Sequence, residues 1–82
     1  MKIPTDISGR DLLKLCSKHF GYEKTRQVGS HMRATTTLNG QHHISIPDHK
    51  PIKINTLRGI VKDIAEHLNK DPKLIFELFF GQ

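Results

Sequence analysis

Apolar residues recur at helical spacing in the first quarter of the chain. The apolar stripe consists of Leu12, Leu13, Cys16 and Phe20. Ser8 precedes it as a favourable N-cap. Gly21 follows it and can adopt the left-handed conformation that ends a helix. We therefore predict a helix that starts near Gly9. Cys16 is expected to be a buried small hydrophobe, since a nucleophilic cysteine needs an electropositive and partly exposed setting.

Two further helices are predicted in the second half of the chain. The longer one carries a regular apolar stripe of Leu57, Ile60, Val61, Ile64 and Leu68. Asn55 and Thr56 are both competent caps for its start. A short helix over residues 72–79 follows, with Asp71 as its cap and Pro72 in its first turn. Its apolar set is Leu74, Ile75, Leu78 and Phe79.

Three strands are predicted between the helices, over residues 22–28, 31–38 and 41–47. The first strand alternates poorly, because Lys24 and Arg26 have the same parity as its apolar ends, so we expect an edge strand or a bulge. Gly29 separates the first strand from the second. Asn39-Gly40 joins the second to the third, and this dipeptide is the strongest short-range signal for a hairpin.

The register of the second hairpin follows from burial. A loop of odd length, with Gly40 in the left-handed conformation, gathers the apolar residues on one face, whereas a strict two-residue turn would divide them between both faces. The predicted core face holds Met32, Ala34, Thr36, Leu38, Ile44 and Ile46. The opposite face then presents His31, Arg33, Thr35, Thr37, His43, Ser45 and His49.

The order of the elements predicts an α+β fold of two layers, in which helices cover one face of a three-stranded antiparallel sheet. A chain of 82 residues is long enough for one small domain and too short for two. We expect a single domain over residues 1–82, with its core at residues 8–69 and the terminal helix at about residues 72–79. The other face of the sheet stays open to solvent.

The chain is basic, with 13 Lys and Arg against 8 Asp and Glu and a net charge of +5. Such a balance favours an anionic partner. Residues 24–47 contain no carboxylate, whereas Lys24, Arg26, Arg33 and three histidines fall there. This segment is the best candidate for an anion-binding surface, although an ordinary solvated face can have the same composition.

The cysteine content and the hydropathy indicate a cytoplasmic protein. Cys16 is the single cysteine, which excludes an internal disulfide framework and fits a reducing compartment. No apolar run approaches the ~20 residues of a membrane-spanning helix, and residues 1–6 lack the apolar stretch of a signal peptide. We therefore expect no membrane partner and no export by a signal peptide.

Three short motifs lie along the predicted elements. They are Arg26-Gln27-Val28-Gly29-Ser30-His31 on a predicted strand, Ile46-Pro47-Asp48-His49 at the end of the hairpin, and Lys53 with Thr56-Leu57-Arg58-Gly59-Ile60 at the start of a helix. Together these motifs resemble the HicA family of toxin ribonucleases. The resemblance extends from Ser8 to about Leu68. It implies a fold like the double-stranded RNA-binding domain, cleavage of messenger RNA, catalysis by His31 and inhibition by a HicB antitoxin.

A histidine fits the implied chemistry, because an imidazole with an unperturbed pKa of ~6.5 can take up and return a proton near neutral pH. We hypothesise that His31 deprotonates a ribose 2′-hydroxyl, which attacks the adjacent phosphorus while cationic groups stabilise the developing charge. The residues expected to support His31 or to bind RNA are Lys24, Arg26, Gly29, Ser30, Arg33, His43, His49 and Lys53.

Other kinds of site fit the sequence less well. His42 and His43 point to opposite faces of a strand and one cysteine is present, so the spacing of a zinc site is missing and we expect no metal or other cofactor. Ser30 directly precedes His31 on extended backbone. This order turns the two side chains apart and argues against a serine hydrolase.

A noncatalytic RNA-binding module is the alternative function. It would use the same basic face for phosphate contacts and would need no titrating group at His31. An antitoxin that blocks the toxin face must compete with phosphate, so we expect it to present an acidic surface.

Overall fold

The computed structural model describes residues 3–81. Its elements, in chain order, are α1 (Gly9–Phe20), β1 (Glu23–Val28), β2 (His31–Thr36), β3 (His42–Pro47), α2 (Ile54–Leu68) and α3 (Pro72–Phe80). The strands form one antiparallel sheet in the order β1-β2-β3. This arrangement confirms the predicted α+β fold.

The start and end of α1 follow from local chemistry, as predicted. The Ser8 hydroxyl accepts a hydrogen bond from the Asp11 backbone amide at 3.0 Å, and Gly21 ends the helix with a φ of 72°. Cys16 is fully buried in the helix stripe. Burial raises the pKa of its thiol to about 12, which confirms the predicted structural role because the thiolate is suppressed.

The predicted register of the second hairpin is confirmed. Met32 pairs with Ile46 and Ala34 pairs with Ile44, and all four side chains are buried. Gly40 has a φ of 95° in a five-residue loop. The side chains of these pairs therefore share the core face of the sheet, as the burial argument requires.

The prediction that Leu38 lies in the core is wrong. β2 ends at Thr36, and Leu38 is 49% exposed. The buried Thr36 hydroxyl donates to the Phe20 carbonyl at 2.6 Å and accepts from the Leu38 amide at 3.1 Å. Because this hydroxyl satisfies the Leu38 amide, the chain leaves the sheet before Leu38 reaches the core.

β1 is an edge strand with an irregularity, as its poor alternation predicts. Lys24 pairs with Ala34, but Arg26 pairs with Arg33, so Thr25 has no partner of its own. An inserted residue reverses the side-chain direction along the rest of the strand. Arg26 is therefore on the open face of the sheet, and Lys24 is on the side of the helices.

The predicted caps of α2, Asn55 and Thr56, are wrong. The helix begins at Ile54, and Lys53 occupies the N-cap position without a side-chain capping hydrogen bond. Ile52 just before it is buried, and its amide donates to the Ile7 carbonyl at 2.8 Å. This tertiary anchor determines where the helix starts, and it overrides the local capping preference.

α3 begins as predicted, and its apolar set is divided between buried and exposed positions. The Asp71 carboxylate accepts from the Lys73 amide at 3.0 Å. Ile75 and Phe79 are buried, whereas Leu74 and Leu78 are about half exposed. One narrow stripe of this helix therefore packs on the rest of the protein, and the second pair of the apolar set faces solvent.

The core lies between the helices and one face of the sheet. Its members are Ile7, Leu12, Cys16, Phe20, Tyr22, Met32, Ala34, Ile44, Ile46, Ile52, Leu57, Ile60, Val61, Ile64, Ala65, Leu68, Ile75 and Phe79. None of α1, α2 and α3 lies over the other sheet face, since its side chains at His31, Arg33, His43 and Ser45 are exposed. None of the helices within residues 3–81 combines the length and apolar character needed to cross a bilayer.

Candidate functional site

His31 is the first residue of β2 and is exposed on the open face. It follows a two-residue turn, Gly29-Ser30, in which Gly29 has a φ of 59°. Glycine at the first central position is what tight hairpins with a matching twist favour. Within residues 3–81, no hydrogen bond involves the His31 imidazole. Both ring nitrogens are therefore available to a ligand.

One depression of the open face joins His31 to three of the other predicted site residues. Arg26, Arg33 and His43 line it together with His31. Arg26 reaches this face because of the irregularity in β1. The Thr35 hydroxyl lies 2.7 Å from His43 Nδ1, so this ring is oriented by its cross-strand neighbour. The depression therefore presents two guanidinium groups beside an exposed imidazole.

A second depression borders His31 on its other side. His49 and Lys53 line it with His31, and Thr56 lies at its α2 end. The segment that carries His49 is fixed by α1, because the Gly9 amide donates to the His49 carbonyl at 2.9 Å. His31 is the histidine that both depressions share. A phosphodiester lying across it would meet cationic side chains in both directions.

Two predicted site residues are placed differently. Lys24 is on the side of the helices, and its ammonium donates to the Gln27 side-chain oxygen at 2.6 Å. Ser30 is half-buried in the turn before His31, and its carbonyl accepts from the Asp48 amide. The structure thus separates Lys24 from the open face and gives Ser30 a backbone contact beside His31.

Sequence reasoning missed a polar cluster behind the turn. Arg10 forms a two-point ion pair with Asp48, with both nitrogen to oxygen distances at 3.1 Å. Gln27 donates to Asp48 at 3.3 Å and to the Gly29 carbonyl at 3.1 Å. The hydrogen bond from Arg10 lowers the pKa of the Asp48 carboxyl from its ordinary value. Asp48 is therefore ionised at neutral pH.

No sequence signal could have found the Arg10 and Asp48 pair, because 38 positions separate the two residues. Asp48 stands inside one of the quoted motifs, but its neighbours in the chain do not indicate its partner. The pair forms where the start of α1 reaches the end of β3.

A second histidine cluster lies on the covered side of the sheet. His42 Nε2 donates to Asp63 at 3.2 Å, and Nδ1 accepts from the Tyr22 hydroxyl at 2.7 Å. The His67 ring stacks on His42 with centroids 4.3 Å apart, and its Nε2 donates to the Leu38 carbonyl at 2.8 Å. Burial raises the pKa of Tyr22. Each side chain of this cluster makes at least one hydrogen bond, and His67 bonds to the Leu38 and Gly40 carbonyls, so the cluster stabilises the hairpin loop.

Comparison with protein families assigns the chain to a group. The family model described as the HicA toxin of bacterial toxin-antitoxin systems matches residues 9–65. The chain belongs to the HicA toxin family. The matched range contains His31, both depressions around it and all of α1, whereas α3 lies beyond it. Searches among curated proteins and among solved structures give no match.

Membership in the HicA toxin family makes the chain a toxin of a two-protein system, with an antitoxin as its partner. The resemblance stated from the sequence is thereby confirmed. Within residues 3–81, no group of three or more His, Cys, Asp or Glu side chains has the proximity that would hold a metal ion.

Proposed function

We propose that this HicA toxin is an endoribonuclease that binds and cleaves messenger RNA in the cytoplasm with His31 as its catalytic residue. The observation that carries the proposal is the position of His31. Its imidazole is exposed, makes no hydrogen bond with the described residues, and borders two depressions that carry Arg26, Arg33 and Lys53. A ring in this setting can contact a phosphodiester directly.

The proposed reaction is a transesterification within the RNA. His31 takes the proton of a ribose 2′-hydroxyl, and the 2′-oxygen forms a bond to the adjacent phosphorus. The bond from phosphorus to the 5′-oxygen breaks, that oxygen takes up a proton from water as it leaves, and the protonated His31 returns its proton to the solvent. The products are a 2′,3′-cyclic phosphate and a 5′-hydroxyl end. This chemistry uses the nucleophile of the RNA itself and requires no metal ion or cofactor.

Charge stabilisation and positioning must add to the proton transfer, because general base catalysis supplies only ~10² to 10⁴ in rate. Arg26 and Arg33 stand on one side of His31, and His49 and Lys53 stand on the other. We assign these residues to phosphate binding and to stabilisation of the negative charge that develops at phosphorus. His43 and the Gly29-Ser30 turn complete the proposed supporting set.

The direct test compares the purified protein with its His31→Ala variant on a single-stranded RNA in EDTA. We expect cleavage by the parent protein, loss of cleavage in the variant, and resistance of the same oligonucleotide when deoxyribose replaces ribose at the cut site. Cleavage by both proteins would remove His31 from the mechanism. RNA binding without cleavage by either protein would instead establish the noncatalytic RNA-binding module.

The antitoxin partner is proposed to be a HicB-like protein that covers the open face with an acidic surface. The basic side chains around His31 would then pair with carboxylates in the complex, as they do with phosphates in RNA. Addition of the antitoxin encoded beside this toxin should displace bound RNA, and the affinity of the two proteins should fall as salt is raised. A salt-independent complex, or one that leaves RNA bound, would contradict this assignment.

A further inference from the structure

The Gly29-Ser30 turn before His31 is connected on its inner side to a single carboxylate. Asp48 touches the turn through its backbone, because its amide donates to the Ser30 carbonyl. Its side chain reaches the turn through Gln27, whose amide group donates to both Asp48 and the Gly29 carbonyl. Asp48 is thus connected to both residues of the turn: it bonds directly to Ser30, and Gln27 bridges it to Gly29.

Asp48 and the residue after it are held by α1 at two points. Arg10 in α1 binds both of its carboxylate oxygens at 3.1 Å. The backbone around it is fixed by Gly9, whose amide donates to the carbonyl of the next residue, His49. A two-point ion pair restricts orientation as well as distance. The end of β3, the start of α1 and the turn before His31 therefore meet at one residue.

We propose that Asp48 is a positioning residue of the HicA toxin: together with Arg10 and Gln27 it holds the Gly29-Ser30 turn so that the His31 imidazole keeps the orientation that proton transfer needs. This inference rests on the proposed function, since it assigns a role relative to the catalytic ring. Asp48 is on the side of the turn that contacts Arg10 and Gln27, and it acts on RNA only through His31.

Because Asp48 is negatively charged, a positioning role can be distinguished from a purely electrostatic effect on RNA binding. A carboxylate close to a phosphate-binding face repels RNA, so its removal alone would strengthen RNA binding and leave the chemical step unchanged. A positioning residue has the opposite signature. Its removal slows the chemical step, because small misplacements of a catalytic group cost one to two orders of magnitude in rate.

The kinetic experiment measures kcat and KM for RNA cleavage in the parent protein, Asp48→Asn, Arg10→Met and Glu66→Gln. Glu66 is exposed on α2 and serves as the matched control, because its variant makes the same change in charge. We expect kcat to fall about tenfold or more in Asp48→Asn and Arg10→Met without a rise in KM for Asp48→Asn. Glu66→Gln should match the parent protein. An unchanged kcat in Asp48→Asn would overturn the proposal.

A second measurement does not depend on cleavage. Amide hydrogen exchange of residues 29–31 reports whether the turn is held. We expect faster exchange there in Asp48→Asn, with the helices and the rest of the sheet unaffected and the midpoint of thermal unfolding shifted by only a few degrees, since an exposed ion pair contributes little to global stability. Unchanged exchange in the turn would also overturn the proposal.

The two measurements distinguish failure of this inference from failure of the proposed function. If the parent protein cleaves no RNA, the proposed function fails, and the exchange of the turn still decides whether Asp48 positions it. If the parent protein cleaves RNA and Asp48→Asn cleaves it equally well with a rigid turn, the proposed function stands and the positioning role is refuted.

Discussion

His31 and His42 are separated by one hairpin and have opposite environments. His31 lies on the open face of the sheet, without a hydrogen bond to its ring from the described residues. The His42 ring is held by Tyr22 and Asp63 through both of its nitrogens and is stacked on His67. The two faces of the sheet therefore have different roles. The His42 and His67 rings on the covered side stabilise the fold, whereas the His31 ring on the open side is available to a ligand.

This division predicts that activity and stability can be changed separately. A substitution on the open face should affect RNA cleavage and leave the free energy of unfolding nearly unchanged. A substitution on the covered side should do the reverse. Substitutions at His31, Gly9, His42 and Cys16, two of them with a control or companion variant, are ordered from the largest expected effect to the smallest.

Replacement of His31 by glutamine should give the largest change. We expect the cleavage rate to fall by about 10² or more, because the general base is lost, while the free energy of unfolding changes by no more than about 0.5 kcal/mol, as for an exposed side chain. Initial rates and urea denaturation measure the two quantities. A large loss of stability would show that His31 also supports the fold, and the comparison with His42 would then fail.

Gly9→Ala should cause the largest loss of stability. A Cβ on Gly9 would lie 1.9 Å from the Pro47 carbonyl oxygen, so α1 and the end of β3 must move apart. We expect the free energy of unfolding to fall by about 1 to 3 kcal/mol or more, as for overpacked sites. Gly59→Ala is the matched control, because nothing lies within 4 Å of the added Cβ, and it should stabilise α2 by up to about 1 kcal/mol. Equal denaturation midpoints in the two variants would contradict the close approach.

His42→Gln should destabilise the protein and spare the chemistry. The fully buried Tyr22 loses the acceptor of its hydroxyl, which costs about 1 to 3 kcal/mol. Cleavage per folded molecule should match that of the parent protein. Tyr22→Phe serves as the companion variant, and a double-mutant cycle should reveal coupling between the two residues. A selective loss of kcat in His42→Gln, with stability retained, would place His42 in the active site and reverse the comparison.

Cys16→Ala should have the smallest effect, which is a change in how the free energy of unfolding depends on pH. Burial raises the pKa of its thiol to about 12, whereas the thiol pKa of a cysteine in an unfolded chain is ~8.5. The neutral buried thiol therefore contributes its full share of stability below pH ~8.5, and this share is lost as pH rises from there toward 12, by up to about 1.4 kcal/mol per pH unit. Denaturation at pH 8 and 9.5 should show this slope in the parent protein and lack it in Cys16→Ala. Equal slopes would mean that the thiol is accessible.

The elements whose signals are local were predictable. Ser8, Gly21 and Asp71 act on backbone groups within a few residues, so their helix ends appear where the sequence places them. The register of the second hairpin was also predictable, because one arrangement buries Met32 and Ile46 on the same face. One part of the site was also predictable. His31, Arg33 and His43 alternate with buried residues along β2 and β3, and this alternation places them on the open face.

The errors arose where a distant contact prevails over a local preference. The anchor of Ile52 to Ile7 starts α2 before its expected caps. The Thr36 hydroxyl accepts from the Leu38 amide, so β2 ends at Thr36 and Leu38 lies outside the sheet. The sequence predicted an edge strand or a bulge in β1, but it did not predict that the irregularity falls at Thr25. This position places Arg26 on the open face and Lys24 on the side of the helices.

The sequence by itself determined the element order, the core face of the sheet and the exposure of His31, because capping, turn formation and alternation depend on residues close together in the chain. Only the tertiary structure decided that Arg10 and Gln27 meet at Asp48 behind the turn, and that the His42 ring is bonded to the Tyr22 hydroxyl. These contacts join residues from 20 to 38 positions apart. Such pairings become favourable only after the core has brought the helices and strands together.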